Sequence, residues 1–124
     1  MRLRQLAGRY AVCRLDPRDA IPSWADGQGF VSISRTPDEL SIICDETRVA
    51  ATVVAERGWR CLSVEGPIAF SVTGVAASMT GALAAAGISV CLVATYDTDY
   101  LLVKEETLSR AIVALRGTGH EVGG

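Results

Sequence analysis

Between the apolar runs Leu92–Ala94 and Leu101–Val103 the chain places Thr95, Tyr96, Asp97, Thr98, Asp99 and Tyr100 side by side. A hairpin corner needs one or two turn-forming residues, so two carboxylates among two aromatic rings exceed what the turn demands. A carboxylate accepts hydrogen bonds from an ammonium group, and an aromatic ring offers an apolar wall. The chemistry on offer is therefore recognition of a small ligand. Acid–base work is the poorer fit, because Asp97 and Asp99 stand two apart on a corner with no evident polar pocket to tune them.

A free amino acid carries a carboxylate as well as an ammonium, so a pocket for it also needs donors. The segment from "VEG" (Val64–Gly66) into the apolar-periodic stretch that follows can supply them at Thr73, Gly74 and Val75, where backbone N–H groups open a helix. Gly74 lets a ligand approach the backbone closely. Each of these residues also has a plainer reading: the aspartates as turn formers, Tyr96 and Tyr100 as sheet packing on one face, Gly74 as a helix-to-sheet contact.

Other chemistries lack their residues. His120 is the single histidine, close to the C-terminus and with no evident nucleophile or second metal ligand at useful spacing. "GQG" at Gly27–Gly29 is not followed by the glycine and lysine of a phosphate loop, so no nucleotide cofactor is expected. Cys13, Cys44, Cys61 and Cys91 stand far apart among apolar neighbours and read as buried strand thiols. A formal net charge of −2 with scattered basic residues argues against a nucleic-acid partner. No signal-peptide run follows Arg2 and Arg4, and no stretch reaches the roughly 18 apolar residues of a membrane span, so a cytoplasmic chain is expected.

The elements that must position the corner emerge when the halves are superposed. A displacement of about sixty positions lays "FVSISRTPDELSIICDE" (Phe30–Glu46) on "VCLVATYDTDYLLVKEE" (Val90–Glu106), each an apolar strand, an acidic corner and a second apolar strand. Upstream of each hairpin stands another strand candidate, "RYAVCRLD" and "GWRCLSVEG". In the second half, Phe70 to Ala86 reads as an amphipathic helix stopped by Gly87, and Leu108 to Leu115 as another, N-capped by Thr107 and ended by Gly117. A short strand, His120 to Val122, closes that half. In the first half only "AIPSWADGQG" fills the helix position, enough for one turn after Pro22, and "ATVVAERG" reads as extended. The expected fold class is α+β: two tandem ferredoxin-like βαββαβ units, 1–58 with reduced helices and 59–124, each an antiparallel sheet with helices on one face.

With that order, "GISVCLVATYDTDYLLVKE" and "SRTPDELSIIC" resemble the ACT domain family in its tandem small form, related to the CASTOR-type amino-acid sensors. The resemblance covers essentially the whole chain. It implies regulatory binding of an amino acid or similar small molecule where the sheets of ACT units lie side by side, a homodimer, and no catalysis. It assigns helix-side ligand contacts to Gly74 and Val75, and contacts from the strand and corner to Thr95, Tyr96 and Asp99, with Asp97 beside them. Where arginine-sensing members carry an acidic residue just before that glycine, this chain has Val72 and Thr73, a departure that bears on specificity for a cationic side chain. A module that kept the fold and works through protein contacts alone is the alternative.

Overall fold

The structure, a computed structural model, describes residues 1–124. It divides into two compact units: Gly8–Trp59, and Met1–Ala7 together with Arg60–Gly124. Residues 1–7, expected from the sequence to belong with 1–58, are grouped here with Arg60–Gly124.

The Gly8–Trp59 unit is built from strands. After β1 (Arg2–Gln5) come β2 (Tyr10–Leu15), β3 (Ser32–Arg35), β4 (Leu40–Asp45) and β5 (Ala55–Val64), whose first half belongs here. The order is β3-β4-β2-β5, all antiparallel, with Cys13 opposite Ile42 and Ile33 opposite Ile42 from the other side. Alternate positions Ala11, Cys13, Leu40, Ile42 and Cys44 form the core with Ala25 and Val49. The single turn expected after Pro22 is a 3-10 turn, Ser23–Ala25, and another, Glu46–Arg48, follows β4. The segment expected to be extended becomes a strand only from Ala55.

The second unit carries the helices: α1 (Val75–Ala85), β6 (Cys91–Ala94), β7 (Asp99–Lys104), α2 (Leu108–Gly117) and β8 (Glu121–Gly123). From β5 onward the order is β-α-β-β-α-β. Met79 and Leu83 of α1 and Ala111 and Leu115 of α2 share one core with Leu62, Val64, Leu101 and Val103, so both helices cover the same sheet face. β1 enters this sheet between β5 and β8, antiparallel to the first (Leu3 opposite Val64) and parallel to the second (Leu3 opposite Val122). Leu3 is fully buried there. The closing strand of the βαββαβ unit is thus joined through a borrowed N-terminal strand.

Two local expectations change. The helix begins at Val75, not Phe70, because Gly74 sits at φ +81° in the left-handed region and cannot continue a right-handed helix back through Val72 and Thr73. Its end is as expected: Gly87 turns left-handed and Ile88 N–H returns to the Leu83 carbonyl at 2.9 Å. The Thr107 side chain does not cap α2; its hydroxyl donates to the Lys104 carbonyl at 2.8 Å, while the helix ends at Gly117 as expected and the left-handed Gly119, φ +92°, follows.

Candidate functional site

The 92–106 hairpin is pinned by its threonines. Thr95 N–H donates to the Thr98 carbonyl at 2.8 Å, Thr95 Oγ1 accepts from Thr98 N–H at 3.3 Å, and Thr98 Oγ1 donates to the Val64 carbonyl at 2.7 Å. The matching corner of the first hairpin uses Thr36 in the same way, with Thr36 N–H donating to the Glu39 carbonyl at 2.9 Å. From Asp97 the backbone carbonyl accepts Ile68 N–H at 2.7 Å, which ties the loop preceding α1 to the corner. Two segments remote in sequence are thereby held together: residues 66–74, which include a cis Gly66–Pro67 peptide, and residues 94–99.

Between them and the first turn of α1 lies a cavity of about 400 Å³. Gly74, Val75, Thr95, Tyr96 and Asp99 all line it. Asp97 does not; it faces an adjoining cavity of about 380 Å³ with Arg4, Glu65 and Tyr100. Tyr96 and Tyr100, expected on one face, are therefore divided between the two cavities. The Thr95–Thr98 turn separates β6 from β7, so alternation does not carry across the corner.

The first cavity combines opposite polarities. Gly74 is the N-cap of α1, no side chain caps the helix and no acidic residue lies in its first turn, so the leading N–H groups point outward uncompensated by local charge. Asp99 supplies the one carboxylate residue among those lining it. Besides the hydroxyl-bearing Thr95, Tyr96 and Thr98, the wall is apolar, with Ile68, Phe70, Val72, Ala76 and Ala94 among its residues. Phe70 and Tyr96 meet edge to face at its rim, centroids 5.1 Å apart. Phe70 and Val72 are residues that sequence periodicity assigned to the helix; only the left-handed Gly74, which uncouples them from it, could have shown otherwise.

Elsewhere, His120 is buried, with Nε2 2.8 Å from Ser78 Oγ and Nδ1 3.1 Å from the Met1 amino group. A hydroxyl neighbour was not legible in the sequence, since 42 positions separate the pair. An ammonium donating to Nδ1 leaves Nε2 as the N–H that faces Ser78, the opposite of what a general base for that hydroxyl requires. Burial pushes the His120 pKa down. The buried thiols are likewise kept neutral, Cys13 pushed up to about 11 and Cys61 to about 12 by desolvation, and no disulfide forms. No group of three or more His, Cys, Asp or Glu side chains is placed to hold a metal ion.

A family model described as an ACT domain matches residues 54–117, more than half of the chain. The chain belongs to the ACT domain family. A second model, described only as an N-terminal domain, matches residues 8–52. This ACT-domain protein is related to the cytosolic arginine sensor for mTORC1 subunit 1 of Bos taurus, 34% identical over 97 residues, and to its Homo sapiens counterpart, 33% identical over 97. The match takes in 69% of this chain and 30% of each relative, so the chain spans about three-tenths of their length. A crystal structure of an Agobacterium tumefaciens protein is 43% identical with a TM-score of 0.93, covering 98% of this chain and 90% of that one. The regulatory subunit of aspartate kinase from Thermus thermophilus shares the fold at 12% identity, with a TM-score of 0.62 over 90% of this chain and 91% of that one. No helix of the ACT-domain chain is long and apolar enough to cross a membrane.

Proposed function

We propose that this ACT-domain protein is a non-catalytic regulatory module that binds a free amino acid in the cavity between the start of α1 and the β6–β7 corner. The observation that carries the reading is the convergence of Gly74 and Val75 with Thr95, Tyr96 and Asp99 around one cavity, a helix N-terminus on one side and a carboxylate on the other. The ligand carboxylate meets the N–H groups of the first helical turn and its ammonium meets Asp99. Asp97, across the corner, holds the loop in place through its backbone.

In this reading residues 8–59 are a degenerate first unit in tandem with the second, and the protein works in the cytoplasm as a homodimer formed through its sheets. The edge strands β3 and β6 each have one free side on which a second chain can pair. Occupancy would be passed to a partner by shifting that association.

A thermal-shift screen of the purified protein against the twenty amino acids tests the proposal. A ligand that binds only the folded state adds about 2.7 kcal/mol at a hundredfold excess over its Kd, which gives a saturable rise in Tm. A module that acts only through protein contacts gives no shift with any of them.

A further inference from the structure

We infer that the amino acid taken by this cavity has an uncharged side chain, apolar or aromatic, an inference that rests on the binding reading above. Asp99 is the only carboxylate lining the cavity, and no Lys, Arg or His lines it. The α-ammonium of a bound amino acid uses Asp99, and the α-carboxylate uses the uncapped first turn of α1. Those two contacts exhaust the charged partners available. A guanidinium or a second ammonium would then be desolvated without a counter-charge, or would compete with the α-ammonium for Asp99; a side-chain carboxylate would find no cation at all.

The wall that remains suits an apolar group. Phe70, Val72 and Tyr96 are 76%, 52% and 82% exposed, and with Ile68 they line the cavity. Large apolar surface gathered at a concave site is the usual mark of a binding surface, and an edge-to-face aromatic pair offers both a face and an edge to a further ring or branched aliphatic group. The relatives named as arginine sensors would then differ from this chain in the ligand side chain while sharing the fold.

Titration calorimetry of the full chain with glycine, L-leucine, L-phenylalanine, L-arginine, L-lysine and L-glutamate is the test. Glycine carries the two α-groups and no side chain. Leucine or phenylalanine is expected to bind at least roughly tenfold tighter than glycine and than each charged amino acid. Phe70→Ala, at an exposed position that leaves the fold intact, narrows the ratio to glycine. Val72→Glu, which places a second carboxylate at the rim, moves preference toward arginine. If arginine, lysine or glutamate binds as tightly as the apolar pair and loses binding in Asp99→Ala, the side-chain inference falls and the amino-acid reading stands. If none of the six binds, both fall.

Discussion

Phe70 and Tyr96 pack edge to face with their ring planes at 90°, although 26 positions apart and both largely exposed. A ring that leaves most of its surface in water contributes little to folding, whereas the same ring over a ligand loses that water on binding. Tyr96→Ala is therefore expected to change unfolding free energy by no more than about 1 kcal/mol and to weaken ligand binding by roughly tenfold. Urea denaturation beside calorimetric titration separates the two effects; equal losses in both would make the pair a folding contact.

Two glycines with positive φ should respond differently to alanine. At Gly74, φ +81°, an added Cβ meets no atom within 4 Å, so the cost is backbone strain, about 1 kcal/mol. At Gly29, φ +86°, the Cβ would come within 2.6 Å of Tyr10 Oη, the group that accepts the Phe30 N–H at 3.0 Å. Gly29→Ala should cost about 2 kcal/mol or more, since strain and a displaced buried hydrogen bond add. Paired denaturation curves check the order.

Acid should weaken the fold through His120. Burial, aided by the Met1 ammonium, lowers its pKa from the ordinary 6.5. The unfolded chain therefore takes up the proton first as pH falls, so this contribution is fully present above about 6.5 and is lost as pH drops toward the folded value. Asp45, held low chiefly by its hydrogen bonds from Thr47, acts with the same sign further into acid, below its ordinary 3.8. Tm of the native chain should decline as pH falls below about 6.5 and that of His120→Gln should decline less. Parallel curves would assign the slope to other groups.

The second unit should depend on β1. Leu3 is fully buried between Val64 and Val122, and Leu3→Ala is expected to cost about 2–5 kcal/mol. A fragment of 59–124, without β1, should show collapsed amide dispersion by NMR, whereas the same fragment with residues 1–7 fused through a linker should recover it.

The hairpins, both helices and the βαββαβ order were legible because each rests on local periodicity and punctuation: Gly87 after α1, the acidic corners between paired apolar strands. The partner of β8 was not, since insertion of Arg2–Gln5 between β5 and β8 is a long-range pairing that leaves no trace in either segment's pattern. The start of α1 was misplaced because Phe70 and Val72 continue the helical spacing by composition, while Gly74 breaks it by conformation. Residue types drew attention to the corner, but could not say that Asp99 lines one cavity and Asp97 the other. Asp97 and Asp99 are chemically the same, and only the Thr95–Thr98 turn decides between them.

That choice gives the most direct test of amino-acid binding here. Calorimetric titration of Asp97→Ala and Asp99→Ala with the amino acid that stabilises the native chain should show near-native affinity in the first and loss of at least roughly tenfold in the second, the cost of removing a charge-assisted contact to the ligand ammonium. Equal affinity in the two variants, or loss in Asp97→Ala alone, would contradict a ligand seated between Gly74 and Asp99.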